Sequence, residues 1–525
     1  MITDQDCVQA ETYEYKGLST DTKPTNCAVN SLFLELDTGI FYFFNGIEWK
    51  DINEKISLGE SEPTGTITIT NNGIFDVHDY AEADVDVPAI TPTGTISITE
   101  NGTVDVANYA TAEVDVDYVT VNFNLSPIIK RTNPTELIEG VMWSVATTVG
   151  NYALFGSGNT NSGYSSKVTA YDTNLTRITT TELNQARERL AATTVAPTGG
   201  SSPQSGYALF GGGDQGWSTN TSAVDAYDTS LTRTTRTNLS QGRARLSATT
   251  VKNYALFGGG HANSGYSSVV DAYDTSLTRT TPTALSQARG GVVATTVGNY
   301  ALFGGGYTEY LYYSNVDAYS TDLTRTTPTV LTQPRGNIGA TTVAPAGDSA
   351  PQSGYALFAG GHGGDRSQTI FFSSVDAYND NLTRTTPAGL SQARNTVGAT
   401  TVAPTGDSSP QSGYALFGGG NGSSGDLSVV DVYDQTLTKI VSPAPLSRAR
   451  GNLAATTVGN YALMGGGSYS AVVDAYSPAS YDIQVFPGTK YSFNGNTEQT
   501  SSTWQTISMQ GEVVGYMKVK NATVN

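Results

Sequence analysis

Between Leu239 and Arg289 the apolar residues gather into four stretches, Ala248–Val251, Tyr254–Phe257, Val269–Tyr273 and Leu277–Leu285, divided by Gly, Asn, Ser and Asp. Short runs rich in Thr, Val, Tyr and Phe predict strands, and the turn residues between them leave no span long enough for a helix. The second stretch opens a motif, Tyr-Ala-Leu-Phe-Gly-Gly-Gly, that recurs at Tyr152, Tyr207, Tyr254, Tyr300, Tyr355, Tyr414 and Tyr461, with Ser157, Ala359 and Met464 substituted within it. The steps are 55, 47, 46, 55, 59 and 47 residues, a period suited to four-stranded propeller units rather than to helical or leucine-rich solenoids. The turn between first and second strands sets the unequal steps. It has two residues, such as Gly298-Asn299, in short repeats and eleven, Ala196–Gly206, in a longer one. Lengthening a surface loop costs only about 0.6 kcal/mol per doubling.

The first three strands recur seven times after residue 141, but the fourth only six, because Tyr476 is followed by Ser477-Pro478. Ile129–Leu137 has the spacing of Leu277–Leu285 and is expected to complete the seventh sheet alongside Leu453–Tyr476. The expected fold is therefore all-β, a seven-bladed propeller closed by an N-terminal strand that removes an unpaired edge.

The Gly-Gly ending the second strand, the Tyr of Val-Asp-Ala-Tyr in the third, and the Arg four residues after the last Leu of the fourth resemble kelch repeats. The resemblance covers roughly two thirds of the chain and implies the propeller; it says little about activity. One departure is that Arg177, Arg233, Arg279, Arg325, Arg384 and Lys439 fall near the position of the family's Trp. Asp225, Asp271, Asp317, Asp376, Asp431 and Asp474 recur in the third strand, and Arg187, Arg243, Arg289, Arg335, Arg394 and Arg450 after the fourth. A catalytic group is wanted once, so these repeated charges are expected to be structural, each guanidinium satisfied by carboxylates or backbone carbonyls. The first repeat departs with Val141 and Thr169 at the two positions. The glycine runs lead into no helix and carry no Lys-Ser/Thr, which makes them turns rather than phosphate cradles.

Composition narrows the class. The chain has 525 residues, 57 Gly, 20 Pro, 14% charged residues and a net charge of −19. Its 28 basic residues are spread along the repeats and outnumbered by acids, so nucleic acid is not an expected partner. No apolar run is long enough to span a bilayer, so membrane insertion is not expected, and Met1–Asp6 lacks the regions of a secretory signal, so synthesis in a host cytoplasm is expected. Cys7 and Cys27 lie outside the repeats without metal-ligand spacing and are read as thiols rather than a bridge. Of the three histidines, His261 and His362 follow glycine runs in the third and fifth repeats; the fourth separates them, so a shared metal is not expected. A kelch-type copper site built on a cross-linked Cys has no Cys in the repeats to use. The expectation is a chain that is not an enzyme, with no cofactor and no metal.

The N-terminal region bears on biology. Glu62–Gly73 is echoed 29 residues later by Thr91–Gly102, each followed by an Asp-Val strand, and Asn-Gly in each copy predicts a hairpin turn. These copies resemble the Ile-Thr-Glu-Asn-Gly β modules of tailed-phage and prophage structural proteins. Tyr15–Thr25 and Ser31–Trp49 likewise resemble a phage virion hairpin module. The resulting organisation is a β anchoring module at 1–60, two tandem 29-residue repeats at 61–117, the propeller at 118–477 and a small β appendage at 478–525.

The strands barely change from repeat to repeat, whereas the loops between second and third strands diverge and carry aromatics: Tyr164, Trp217, Tyr266, Tyr307, Tyr310, Tyr312, Tyr313, Phe371, Phe372 and Tyr469. Aromatics on loops that share one face suit sugar and protein ligands, which makes these residues the candidate ligand-binding set. The competing reading is that the rings pack on the next blade. The resemblances imply a virion protein at the periphery of a tail or baseplate, presenting the propeller for host-surface receptor binding and docking to other virion proteins through its N-terminal region. The alternatives are a glycan-active propeller depolymerase or lyase and a purely structural capsid or tail decoration. No heptad repeat argues for a trimer, and the choice between monomer and homo-oligomer stays open.

Overall fold

The computed structural model describes residues 128–195, 206–216, 219–343, 354–364, 368–402, 413–440, 443–485, 487–510 and 513–520, together with short strands and a few other residues before position 126. Among them the protein is all-β, without a helix, and is built of antiparallel sheets in a β-propeller-like fold. The chain divides into two compact units, residues 127–480 and residues 1–126 with 481–525.

In the larger unit each repeat contributes one sheet. In the third it consists of Ser247–Val251, Tyr254–Gly258, Val270–Tyr273 and Arg279–Thr280, each antiparallel to the next. The fourth strand is shorter than the stretch Leu277–Leu285 expected from sequence. Asp274 Oδ1 accepts the backbone N–H groups of Ser276 and Thr278, both at 2.9 Å, and this turn puts Leu277 at a left-handed φ of 62°. Pro282 then lacks the N–H a longer ladder would use. In the last repeat Ile128–Thr132 pairs antiparallel with the strand that begins at Val473, with Ile129 opposite Pro478 and Arg131 opposite Tyr476.

Each sheet buries both faces. Leu154, Val168 and Ala170 of the first repeat pack against Ala208, Phe210 and Tyr227 of the second, and Phe155 and Tyr171 of the first share a cluster with Leu463 and Val473 of the last. The glycine after Phe in the motif is dictated by this stacking. A Cβ on Gly156 would lie 2.8 Å from the Phe210 ring, on Gly211 2.8 Å from Phe257, on Gly304 2.8 Å from Phe358, and on Gly465 2.8 Å from Phe155. Real Cβ atoms do not approach so closely, so any larger residue would push neighbouring sheets apart.

The recurring charges form buried clusters. Asp225, Asp271, Asp317, Asp376, Asp431 and Asp474 are inaccessible, and each takes an ion pair of 2.6–2.8 Å from an equally buried arginine, in order Arg187, Arg243, Arg289, Arg335, Arg394 and Arg450. A second, half-buried cation completes each cluster: Arg233, Arg279, Arg325, Arg384 and Lys439 from the same repeat, and for Asp474, Arg131 at 3.8 Å from 343 positions earlier. The same guanidinium also donates to a backbone carbonyl of the second strand, such as Arg243 Nη2 to Phe257 O at 3.0 Å.

Two further networks join successive repeats. A glycine N–H after each motif donates to the carbonyl of the next buried arginine, for example Gly213 to Arg243 at 2.9 Å, and that of Gly467 donates to Val141, the first repeat's residue at the arginine position, at 2.7 Å. The first strands line a cavity of about 200 Å³ with their Ala-Thr-Thr segments. There the threonine hydroxyls pair at 2.8–3.0 Å from repeat to repeat, Thr147 with Thr194, Thr193 with Thr250, and so on to Thr400 with Thr457 and Thr456 with Thr148.

In the smaller unit Glu14–Gly17 runs parallel to Leu32–Glu35, which continues antiparallel through Phe41–Phe44 to Trp49–Asp51. The Asn-Gly turns expected at Asn72-Gly73 and Asn101-Gly102 lie outside the described residues, and the described strands of the two copies pair with each other. Ile67–Thr70 pairs in parallel with Ile96–Thr99, and Phe75–Asp76 with Val104–Asp105, so each copy lies in register beside the other. Equal sequence at equal spacing lets like residues pair, with Ile67 opposite Ile96. Within the segment after residue 478, Val513–Lys520 pairs with Tyr118–Leu125 and with Lys490–Phe493.

Removing one partner of a buried ion pair strands the other charge, so Asp271→Ala is expected to lower unfolding free energy by about 3–5 kcal/mol in urea titration, whereas Arg325→Ala, at a half-exposed position, should cost about 1 kcal/mol or less. Equal losses would contradict the assignment of the buried pair as the dominant contact. Burial opposes ionisation of Asp431, but the Lys439 ammonium and Arg394 guanidinium outweigh it and hold the carboxyl below its ordinary value. The stability Asp431 contributes is therefore fully present above the unfolded carboxyl value, near ~3.9, and is lost as pH falls through the lower folded value. Denaturation midpoints measured between about pH 2 and 6 should show less acid dependence in Asp431→Asn than in the parent.

Candidate functional site

The residue after each glycine run varies among the repeats: Asn159, Asp214, His261, Tyr307, His362, Asn421 and Ser468. Six of them form short antiparallel bridges with the residue just after the arginine position, among them Asp214 with Glu188, His261 with Ala244, Tyr307 with Gly290 and His362 with Gly336. One position further on lie Trp143, Arg189, Arg245, Gly291, Asn337, Thr396 and Asn452, all left-handed with φ of 50–59°. Six of these seven are non-glycine residues in a strained region, which persists only where the surroundings impose it. The imposing contacts are backbone hydrogen bonds between repeats: Arg189 N donates to Trp143 O at 3.4 Å, Arg245 N to Arg189 O at 2.8 Å, Gly291 N to Arg245 O at 2.9 Å, Thr396 N to Asn337 O at 2.9 Å, Asn452 N to Thr396 O at 3.3 Å, and Trp143 N to Asn452 O at 3.3 Å. These residues immediately precede Ser144, Leu190, Leu246, Ile338, Val397 and Leu453, which line a cavity of about 260 Å³. The result is a rim with a uniform backbone and varied side chains.

Two groups of side chains stand out on this rim. The first is an arc of rings through the third, fourth and fifth repeats. His261 meets Tyr266 at 5.0 Å between centroids, Tyr266 meets Tyr307 at 6.5 Å, Tyr307 meets Tyr312 at 6.0 Å, Tyr312 meets His362 at 5.2 Å, and His362 meets Phe371 at 6.5 Å. Glycines make room for it. A Cβ at Gly336 would stand 2.6 Å from the Tyr307 ring, and one at Gly291 would overlap it. Burial, and then the Arg245 charge, lower the pKa of His261; burial lowers that of His362 against the opposing effect of a ring hydrogen bond to the Gly336 backbone. The Asn395 side-chain amide lies 2.9 Å from His362 Nδ1, which fits a neutral ring accepting there and carrying its proton on Nε2.

The second group lies between the first and second repeats. The Arg189 guanidinium sits 3.8 Å from the centroid of the Trp143 ring, pairs with Glu188, and lies 3.4 Å from Asp214. Glu188 is 2% exposed, its Oε2 has no hydrogen-bond partner, and burial pushes its carboxyl up, Arg189 drawing it down and Asp214 adding to the rise. A carboxyl so placed retains its proton to a higher pH than an ordinary glutamate.

Of the sequence-predicted set, Tyr266, Tyr307, Tyr312 and Phe371 join the arc. Tyr310 is the most exposed at 59%, beside Leu311 at 59%. Tyr313 is half-buried, and Phe372 is half-buried against Gly363, whose Cβ would lie 3.0 Å from its ring. Tyr164 and Tyr469 are exposed but stand in no ring contact of the arc; Tyr164 lies in the field of Glu188, Asp214 and Arg189. Trp217, Cys7, Cys27 and His78 lie outside the described residues. Sequence reasoning set His261 and His362 apart because a repeat intervenes; the structure links them through three tyrosines. It also missed Glu188, Arg189, Arg245 and Trp143, although comparing repeats just after the recurring arginine would have exposed that position as the variable one. Among the described residues no three His, Cys, Asp or Glu side chains gather to hold a metal.

No family model matches the chain, and no curated protein matches it. Solved structures similar to it include that of YjhT, at 12% identity and a TM-score of 0.45, covering 59% of this chain and 99% of that one. Another is a fungal alcohol oxidase of the AA5 family in complex with copper, at 13% identity and a TM-score of 0.49, covering 75% of this chain and 93% of that one. The reading of the chain as a non-enzyme is corrected here: an oxidase stands among the similar structures, and enzymatic activity is not excluded.

By nuclear magnetic resonance, His261 and His362 are expected to titrate below the ordinary histidine value of ~6.5, since each loses stability only when charged in its buried site. A midpoint at or above that value for either ring would contradict the packing of the arc.

Proposed function

We propose that the larger unit is a seven-bladed kelch-like propeller closed by the strand Ile128–Thr132, carried by a phage or prophage virion protein at the tail or baseplate periphery, and that its rim recognises the host surface. The architecture is supported by the return of each inter-repeat contact from the seventh repeat to the first: Gly465 on Phe155, Gly467 N–H to Val141, and Thr456 to Thr148. Arg131 supplies to Asp474 the second cation that other repeats draw from their own fourth strand. The virion setting rests on the N-terminal modules, whose two copies stack in register. Stiff β modules suit an attachment that holds a head away from a particle better than a flexible Gly/Ser linker would.

The observation that carries surface recognition is the ring arc. Rings half-buried by their neighbours are already ordered, so a ligand gains contact without freezing mobile side chains. A negatively charged chain gains no long-range attraction to anionic wall polymers, which leaves recognition to short-range stacking and hydrogen bonds. A second reading, a glycan-active propeller enzyme, is favoured by Glu188: a buried carboxyl whose pKa is raised by burial and by Asp214 is the kind of group that serves as a general acid in glycoside chemistry.

Fluorescently labelled full-length protein is expected to adsorb to host cells, and Tyr310→Ala with Phe372→Ala to reduce adsorption without lowering the melting temperature. Absence of adsorption by the parent protein would leave the purely structural role. Incubation with host wall polysaccharide separates the second reading: release of oligosaccharide that disappears in Glu188→Gln supports an enzyme, and no release counts against it. For the architecture, Ile129→Asp is expected to destabilise by about 3 kcal/mol or more, because Ile129 is buried in the cluster of the last two repeats. A change within about 0.5 kcal/mol would argue against closure by this strand.

A further inference from the structure

We infer that the arc from Arg245 to Phe371 binds an acidic saccharide, the rings packing on the C–H faces of the sugar and the Arg245 guanidinium pairing with a carboxylate or phosphate that the sugar carries. The inference deepens the recognition reading and rests on it.

Arg245 is the observation that sets the ligand's charge. The six buried arginines are committed to aspartates, and Arg189, the arginine at the matching rim position of the preceding repeat, is committed to Glu188 and Asp214. Arg245 is exposed and forms no ion pair among the described residues. Its backbone is fixed at a φ of 55°, with its N–H donating to Arg189 O and its carbonyl accepting from Gly291 N. The stem is therefore held in place at a strained position, in a chain whose acids outnumber its bases 47 to 28. Ala244, the residue before it, pairs with His261, which pairs in turn with Tyr266, so Arg245 stands at one end of the arc, and its charge bears on both rings.

The rings supply the rest. Tyr266 of the third repeat and Tyr307 and Tyr312 of the fourth are half-buried and meet edge to face or tilted, which sets ring surfaces and hydroxyls side by side. Neutral His261 and His362 add hydrogen-bonding nitrogens without adding charge of their own. Apolar ring faces with polar edges match the alternation of C–H and O–H on a pyranose. A guanidinium matches a planar carboxylate or a phosphate through paired donors.

The test uses the full-length chain, calorimetric titration at low salt, and three probes: trigalacturonate, neutral galactotriose and glucose 1-phosphate. One or both acidic probes are expected to bind about tenfold or more tightly than galactotriose, the size of effect a charge-assisted hydrogen bond gives. Arg245→Gln should abolish that preference, and Tyr266→Ala or Tyr312→Ala should weaken every probe; Tyr307 is avoided because it fills the notch made by Gly291 and Gly336. A preference for glucose 1-phosphate over trigalacturonate assigns phosphate as the anion, and the reverse assigns carboxylate. Binding unchanged in Arg245→Gln and in both tyrosine variants, at unchanged melting temperature, would overturn the inference, as would galactotriose binding as tightly as the acidic probes. If no probe binds while the parent protein adsorbs to host cells, the acidic-saccharide site falls and surface recognition stands; if adsorption fails as well, both fall.

Discussion

The structure depends on the buried guanidinium–carboxylate pair that recurs between Arg187 and Asp225 and in five further copies. Desolvating both charges costs several kcal/mol per ion, and only tight geometry and additional hydrogen bonds offset it. Here the offset is distributed. The carboxylate receives a second cation from the sheet edge, the guanidinium donates to a second-strand carbonyl, and the arginine's own carbonyl accepts a glycine N–H from the preceding repeat. The pair therefore ties a sheet to the connection that enters it and to the sheet before it. Such contacts are selective for one spacing between sheets, because a shift that relaxes one of them breaks the others.

Glycine acts at the same spacing from the apolar side. At Gly156, Gly211, Gly258, Gly304 and Gly465 a neighbouring phenylalanine ring occupies the place a side chain would take, and at Gly418 the Met464 side chain does so instead; the fifth repeat alone carries a methyl group there, at Ala359. Polar pairs fix where the connections lie, and glycine-on-ring contacts fix how closely the sheets approach. The threonine ladder adds a third constraint at the first strands, where each hydroxyl is satisfied by another repeat. With inter-sheet geometry over-determined, the rim can hold non-glycine residues at left-handed φ, a conformation that an isolated loop would relax.

That division separates scaffold from function. Positions inside the sheets vary little across repeats because each must satisfy the same neighbours. The stations following the glycine run and the arginine vary freely because their backbone is held from outside. The first repeat shows the limits of the scheme: with Val141 at the arginine position and Ser144 where other repeats place Leu, Val or Ile, it lacks the buried pair and carries Trp143 under Arg189. Arg131 compensates at the other end of the array by reaching Asp474.

Sequence by itself determined the all-β class, the placement of the segment that starts at Ile129 beside the last repeat, and the structural role of the recurring Arg and Asp, because each follows from local periodicity or from counting equivalent positions. It placed Tyr266, Tyr307, Tyr312 and Phe371 among the candidates but not in contact, and it separated His261 from His362. Only the tertiary structure decided those contacts, since they run between side chains of different repeats across loops of unequal length, where no period applies. The same holds for the parallel pairing of the 29-residue copies, which joins segments far apart in sequence. It holds as well for the truncation of the fourth strand, where an aspartate-capped turn and a proline outweighed β propensity. Rules that act within one strand are legible along the chain, whereas the choice of neighbour depends on which surfaces the packing of the sheets brings together.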